Sequence, residues 1–133
     1  MAAKKKNRNK AVKKIQKNAR SWIYWSPRIL TIVFILFISM FALDVFGNNY
    51  TLWQTVQGLF MHLIPSMILT VFLIIAWKRE WVGAVGFFLF ALVYIGMIVR
   101  RPLEGYMLSY SLIIAGPSIV VGILWWLNWA EKK

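Results

Sequence analysis

The sequence predicts an all-α integral membrane protein, an antiparallel bundle of four transmembrane helices that follows a basic tail. Four apolar runs are each long enough to cross a hydrocarbon core of about 30 Å as a helix. Charged residues are nearly confined to the gaps between the runs, and a chain of 133 residues leaves little room for a further soluble domain. The predicted order is a basic cytoplasmic tail (1–27), a transmembrane domain (28–129) with helices at 29–46, 52–77, 81–99 and 107–129, and a short cytoplasmic tail (130–133).

The distribution of positive charge predicts how the helices are oriented. Ten of the sixteen Lys and Arg residues precede the first apolar run. Cytoplasmic segments of membrane proteins carry an excess of these residues. With both termini inside, only Arg100 and Arg101 lie outside, partly offset by Glu104. We therefore expect a multi-pass protein of the cell (inner) membrane with both termini in the cytoplasm.

Aromatic residues give an independent check, because Trp and Tyr prefer the headgroup level of a bilayer. They cluster at the ends of the apolar runs, and Tyr94 alone of the Trp and Tyr residues falls well within one. The predicted cytoplasmic ends carry Trp22, Tyr24, Trp25, Trp77, Trp81, Trp125, Trp126 and Trp129, and the outer ends carry Tyr50, Trp53, Tyr106 and Tyr110.

Local signals place the helix ends. Ser26 and Pro27 suit an N-cap followed by proline at the first helical position, so the first transmembrane helix should begin there. Thr51 and Gln54 have the spacing of a capping box and should start the second helix. The residues 47–49 form the predicted turn between these helices. The short connections make helices one and two, and helices two and three, antiparallel hairpins.

The basic tail has a helical pattern of its own. Apolar residues recur at helical spacing while cationic residues occupy the other face, which is typical of a helix on an anionic membrane surface. The apolar side comprises Val12, Ile15, Ala19, Trp22 and Ile23, and the opposite side includes Lys13, Lys14, Lys17 and Arg20. We expect anionic inner-leaflet lipids as the partner, and no nucleic acid. The alternative is a topology determinant with a disordered lysine-rich start.

Two ionisable residues lie inside the predicted spans, Asp44 near an outer end and His62 about 15 Å deep. A direct bond between them is marginal at these depths. Gln57 is at a better level for Asp44, and Ser39 or the carbonyl freed by Pro117 is at a better level for His62. The second helix carries a small or polar ridge that should pack inward, formed by Gln54, Gly58, His62, Ser66 and Thr70.

These polar residues have structural alternatives. His62 would then be a neutral, hydrogen-bonded packing residue, and Asp44 an interfacial carboxylate. The proposed kinks at Pro65 and Pro117 could line a cavity but are more commonly explained by packing. With no cysteine, one histidine and one buried aspartate, the sequence predicts neither a metal site nor a cofactor.

An offset of 52 residues hints at two duplicated hairpins. It relates Trp25 to Trp77 and Trp129, and the pair Pro65 and Ser66 to Pro117 and Ser118. Few other identities match, so the sequence suggests this repeat without establishing it. Small residues in helices three and four, such as Gly83, Gly86 and Gly122, should let helices approach closely.

Four segments resemble a family of small, uncharacterised prokaryotic four-helix integral membrane proteins, a domain of unknown function. They are Phe41-Ala42-Leu43-Asp44-Val45-Phe46, His62-Leu63-Ile64-Pro65, Ala76-Trp77-Lys78-Arg79-Glu80-Trp81 and Ile114-Ala115-Gly116-Pro117. The similarity covers 28–129 and leaves out the tail. It implies the four-helix fold and no reaction, and it marks eight positions for testing: Asp44, His62, Pro65, Trp77, Lys78, Glu80, Trp81 and Pro117.

Three functional classes remain open at this stage. The favoured one is a non-enzymatic structural, assembly or regulatory protein, acting as a homo-oligomer or with a membrane protein partner. The alternative is a small transporter or ion pathway that uses Asp44 and His62. An enzyme is not expected, because the sequence offers no nucleophile beside a base.

Overall fold

A computed structural model describes residues 1–47, 49–100 and 105–133, and within them the chain forms four α-helices and no strand. The helices are α1 (Ala2–Met40), α2 (Leu52–Lys78), α3 (Glu80–Val99) and α4 (Gly105–Ala130), and a 3₁₀ segment (Phe41–Gly47) continues α1. Each helix has an apolar stretch long enough to cross a membrane. The predicted all-α class with four spanning helices is therefore confirmed. Asn48, Arg101 and Glu104, used above in the predicted loops, lie outside the described residues.

The four helices form a ring in which each packs against the helices before and after it, and α4 closes against α1. The turn between α2 and α3 is short, and α1 joins α2 through the 3₁₀ segment, so successive helices run in opposite directions. We call the end that holds Arg28, Glu80 and Ala130 the basic end. The opposite end, with Gly47 and Val99, is the far end.

The predicted boundary at Ser26 and Pro27 is wrong, because α1 runs through both residues without a break. Side chains compensate for the missing proline N–H. Ser26 Oγ donates to the Ile23 carbonyl at 3.5 Å, and the Arg28 guanidinium donates to the Tyr24 carbonyl. The basic tail and the first transmembrane helix are one helix of 39 residues, about 58 Å long.

The predicted start of α2 is confirmed. Thr51 Oγ accepts from the Gln54 N–H at 3.4 Å, and the Gln54 side chain accepts from the Thr51 N–H at 3.0 Å. This capping box satisfies two of the backbone donors that a helix start leaves unpaired. It also fixes how α2 begins at the far end.

Aromatic side chains fill the core where small residues leave space. Phe34 packs against Phe87, with ring centroids 6.2 Å apart, and Trp125 is fully buried. A Cβ atom added to Gly83 would lie 2.7 Å from the Trp125 ring, and one on Gly86 would lie 2.5 Å from Phe72. The expectation that these glycines permit close helix packing is confirmed.

The 52-residue offset recurs in the hydrogen bonds between helices. Ser118 Oγ donates to the Phe87 carbonyl at 2.9 Å. In the first hairpin, Ser39 lies between the two equivalent groups, Ser66 and the Ile35 carbonyl. The Ser39 Oγ is 3.0 Å from Ser66 Oγ and donates to the Ile35 carbonyl at 2.8 Å. The carbonyls of Ile35 and Phe87 are themselves 52 residues apart. In both hairpins, therefore, the serine that follows the proline is linked to the corresponding carbonyl of the preceding helix.

Candidate functional site

A buried cluster of charges holds the basic end together. One carboxylate oxygen of Glu80 accepts from Arg28 at 3.1 Å, from Asn128 Nδ2 at 2.8 Å and from Lys132 Nζ at 2.6 Å. Arg28 is 1% exposed and Glu80 is 5% exposed. We call these four residues the basic-end clasp. It ties α1 to the start of α3 and the end of α4.

Aromatic rings surround the Arg28 guanidinium of the clasp. Its central carbon lies 3.6 Å from the Tyr24 ring centroid, 5.4 Å from that of Trp77 and 5.1 Å from that of Trp125. Cation–π contacts of this kind stabilise a charge that has lost its water. Among the described residues, Arg28 Nε has no hydrogen-bond partner.

A second buried bond lies one turn below the clasp. Trp125 Nε1 donates to Thr31 Oγ at 3.0 Å, and Thr31 Oγ donates to the Pro27 carbonyl at 2.6 Å. All three residues are buried. The chain of bonds joins α4 to α1 beside the proline and helps to keep α1 continuous there.

Sequence reasoning missed the clasp as a cluster. It treated Arg28 as one of many topology-determining charges and Glu80 as part of a cytoplasmic turn. The signal that could have found it was the 52-residue offset, which relates Arg28 to Glu80 and Glu80 to Lys132. The other predicted turn residues, Trp77, Lys78 and Trp81, are exposed.

At the far end, polar side chains line an open cavity of about 410 Å³. The predicted residues Asp44, Gln57 and His62 meet here. The complete lining among the described residues is Asp44, Val45, Tyr50, Gln54, Gln57, Gly58 and His62. We call this space the polar mouth.

Next to the polar mouth lies an apolar cavity of about 330 Å³, which we call the apolar chamber. All four helices contribute to it, and Tyr94 and Pro65 belong to its wall. Its lining is Ile38, Phe41, Met61, His62, Pro65, Phe90, Val93, Tyr94, Met97 and Ile114. Pro65 is thus part of a cavity wall, and the kink expected there stays a prediction.

The predicted partner of His62 was wrong. Its Nδ1 lies 2.8 Å from the Gly58 carbonyl of its own helix, whereas Ser39 bonds to Ser66 instead. The ring is exposed at the cavity walls. A carbonyl one turn away is always within reach of a helical histidine, so no other helix need supply the partner.

The polar ridge of α2 does not pack inward as a whole, contrary to expectation. Ser66 is buried and Gly58 packs against Val45, but Gln54, His62 and Thr70 are exposed. The face of α2 that enters the core is marked by Ser66, Leu69, Leu73 and Ala76. The large apolar side chains therefore decided the rotation of α2.

The predicted membrane-surface residues all lie on the N-terminal extension of α1 and are exposed. They are Lys13, Lys14, Lys17, Arg20 and Trp22.

Pro117 is half-buried within α4. Across the described residues no group of three or more His, Asp or Glu side chains could hold a metal ion.

Comparison with known proteins identifies the family and no activity. No curated protein and no solved structure matches the chain. The family model described as "Domain of unknown function (DUF7670)" matches residues 15–133. The match begins inside the basic tail, so the similarity reaches further toward the N-terminus than the predicted start at Arg28. The four-helix membrane protein described above belongs to this family, the domain of unknown function DUF7670.

Proposed function

We propose that the protein is a non-enzymatic assembly or regulatory partner in the cytoplasmic membrane, and that its working surface is the basic extension of α1. The exposure and the positive charge of this extension support the proposal most. Residues 2–26 are helical and largely exposed, and they carry nine cationic side chains and no acidic one. These are Lys4, Lys5, Lys6, Arg8, Lys10, Lys13, Lys14, Lys17 and Arg20.

The bundle supports the extension at its base. The helix continues through Pro27, and Arg28, the next residue, is buried in the clasp. A flexible linker would leave the direction of the extension undefined. In this protein, bonds to α3 and α4 hold the residue from which the extension leaves the bundle, so the bundle can act as its anchor.

The partner we propose for the extension is the anionic surface of the inner leaflet. Its apolar stripe is exposed: Val12 by 47%, Ile15 by 68% and Trp22 by 77%. Basic helices with such a stripe lie in the membrane interface, and each Lys or Arg near an anionic surface contributes about 1 kcal/mol. A second copy of the chain or another membrane protein could then assemble on the bundle.

The direction of the stripe fits this partner. At 3.6 residues per turn, Ile15 and Ala19 lie about a third of a turn from the face that carries Thr31 and Phe34 into the core. The stripe thus lies to the side of the face that enters the core, on a part of α1 that is exposed and that lipid can contact.

The lipid partner can be tested with the full-length chain, which has no native cysteine. An environment-sensitive label is attached at Ile15→Cys or, on the opposite face, at Lys17→Cys, and each protein is placed in bilayer discs. With anionic lipid the label at residue 15 should be shielded from an aqueous quencher and the label at residue 17 should stay accessible. Equal access at both sites in anionic discs would contradict the proposal, as would tighter binding to RNA than to anionic vesicles.

The proposed orientation places the basic end in the cytoplasm. It follows from the positive-inside rule, since the α1 extension, the α2–α3 turn and the C-terminus carry most of the cationic residues. A cysteine at Asn49 should react with an impermeant reagent on intact cells, and one at Arg79 should react only after the cells are opened. Labelling of Arg79→Cys on intact cells would reverse the orientation.

A second function, a small transporter or ion pathway, is favoured by one observation: Asp44, Gln57 and His62 line the same cavity. Purified protein in sealed vesicles would reveal a proton or cation flux if this were the activity. Loss of such a flux in both Asp44→Asn and His62→Gln, with the fold intact, would replace the primary proposal. We expect no flux above that of empty vesicles.

A further inference from the structure

We propose that one anionic phospholipid binds at a fixed place on the bundle, in an apolar groove between α3 and α4 at the basic end. Its phosphate lies beside Lys133 and one of its acyl chains lies in the groove. The site is built from α3, α4 and the C-terminal residues. It is therefore separate from the extension of α1 and does not depend on the proposed function.

The groove is a cavity of about 330 Å³ between α3 and α4, which we call the tryptophan groove. Three of its residues are exposed, so the groove is open to the lipid around the bundle. Its surface is wholly apolar, so a hydrocarbon chain suits it. The lining is Trp81, Ala84, Val85, Phe88, Trp126 and Trp129, of which Trp81, Val85 and Trp126 are the exposed ones.

The depth of the groove matches one leaflet of a bilayer. Trp81 is the second residue of α3, and Trp129 is the last but one of α4, so both lie at the basic end. Phe88 lies roughly 12 Å along α3 from its start. Half of a hydrocarbon core is about 15 Å thick, so the groove spans most of one leaflet. An acyl chain of a lipid in that leaflet can therefore follow the groove along its length.

Positive charge lies at the headgroup end of the groove. Lys133 Nζ is 4.2 Å from the centroid of the Trp129 ring, which forms part of the groove wall. Lys78 and Arg79 are exposed in the turn that leads into α3, within three residues of Trp81. Basic sites beside transmembrane helices bind anionic lipid headgroups. A phosphate at this level suits the charge of the surrounding side chains.

The two acidic residues near the basic end do not offset this charge at the groove. One carboxylate oxygen of Glu80 accepts from three donors of the clasp, and the side chain is buried. The Glu131 N–H bonds to the Leu127 carbonyl, so the helical course of α4 continues to residue 131. At that position Glu131 lies about 200° around the helix from Trp129. The groove therefore faces cationic and not anionic side chains.

Lys133 also argues against a choline lipid as the occupant. A choline ammonium can lie on the face of an indole ring. Lys133 already covers the Trp129 ring, and it would repel a second cation there. A lipid with a net negative charge offers its phosphate to Lys133 and brings no cation of its own.

The test uses full-length protein in discs of phosphatidylcholine that contain a photoreactive lipid at low mole fraction. Three probes share the same acyl chains, one of which carries a diazirine: a phosphatidylglycerol, a phosphatidylcholine and a diacylglycerol. After illumination, mass spectrometry maps the labelled peptides. The phosphatidylglycerol probe should label peptides from 81–88 and 126–129 roughly fivefold more than either of the other probes. Unlabelled phosphatidylglycerol should suppress this labelling, because a site saturates.

A pair of charge variants separates the site from the general attraction between an anionic lipid and a basic protein. Lys133→Gln and Arg20→Gln each remove one positive charge, but Arg20 lies on the extension and Lys133 lies at the groove. Lys133→Gln should lower the labelling of the groove peptides roughly fivefold. Arg20→Gln should leave it unchanged.

A pair of substitutions on α3 tests the groove itself. Val85→Trp fills the groove and should lower the labelling of the groove peptides roughly fivefold. Leu92→Trp is the matched control, because Leu92 is exposed and outside the lining. Val85 is also exposed, so both proteins should fold.

Four results would overturn the proposal. They are equal labelling by phosphatidylglycerol and either other probe, labelling that unlabelled phosphatidylglycerol does not reduce, equal losses in Lys133→Gln and Arg20→Gln, and equal labelling of Val85→Trp and Leu92→Trp. Unlabelled groove peptides in a protein that is dimeric by mass would also overturn it, since a second copy would then cover the groove. The quencher experiment at residues 15 and 17 reports on the extension alone, so the two proposals can fail separately.

Discussion

The polar residues at the two ends of the bundle have opposite environments. At the basic end, Arg28, Glu80 and Asn128 are buried and bonded to one another. At the far end, Asp44, Gln57 and His62 line an open cavity. Polar groups that hydrogen-bond to one another stabilise the folded structure, whereas polar groups that line a cavity can contact a bound molecule. The basic end is therefore closed by its own side chains, whereas the far end is open.

The basic end is closely packed around its buried polar residues. At the basic end Gly83 is packed so closely that an added Cβ would touch both Trp125 and Ala76. An added Cβ at Gly96 or Gly116 would meet nothing within 4 Å, but neither glycine is buried and neither lies on the face of its helix that enters the core. The contact between α3 and α4 is therefore shown to be tight near the clasp.

The largest expected effect comes from breaking the clasp. Glu80→Leu leaves the Arg28 charge buried without its carboxylate, and we expect a loss of about 3 to 5 kcal/mol in the free energy of unfolding, measured in mild detergent. Glu131→Leu, at an exposed site, is the control. The double variant Arg28→Met with Glu80→Leu should recover most of the loss. A Glu80→Leu protein as stable as wild type would show that the clasp is not structural.

A glycine substitution tests how closely the basic end is packed. Gly83→Ala forces a methyl group against Trp125 and Ala76 and should cost about 1 to 3 kcal/mol in unfolding free energy. Gly96→Ala has open space around it and should be neutral or stabilise by up to about 1 kcal/mol through helix propensity. If both variants lost stability equally, the close contacts of Gly83 with Trp125 and Ala76 would not explain the loss.

A smaller effect is expected at the bond beneath the clasp. Trp125→Phe keeps an aromatic ring in the core and removes the donor to Thr31, which still donates to the Pro27 carbonyl. The expected cost is about 1 kcal/mol, measured by thermal unfolding at constant detergent concentration. Trp126→Phe, on the exposed face of the same helix, should change stability little. A larger loss at residue 126 than at residue 125 would contradict the assignment.

The smallest stability effect is expected at the far end. His62→Gln removes a ring that is exposed and bonded only to its own helix, so unfolding free energy should change by less than about 0.5 kcal/mol. Any cellular phenotype should also persist if the residue has a packing role. A folded, monodisperse His62→Gln protein that failed complementation would instead point to proton transfer or ligand binding at the far end.

Much of the candidate far-end site could be predicted from sequence. Ionisable residues are rare in apolar runs, so Asp44 and His62 stood out, and helix rise placed Gln57 at the level of Asp44. The structure brings all three to one cavity. The sequence could not give the rotation of α2, because that rotation depends on which side chains fill the core.

The sequence by itself determined the four spans, the helix class and the capping box at Thr51, because each depends on local composition or on residues a few positions apart. Tertiary structure decided the clasp, since Arg28 of α1 and Lys132, two residues after α4, meet at Glu80 of α3. It also decided that α1 continues through Pro27. Trp125 of α4 bonds to Thr31, which in turn bonds to the Pro27 carbonyl one turn earlier in α1, and these bonds stabilise a segment whose own residues favour a break.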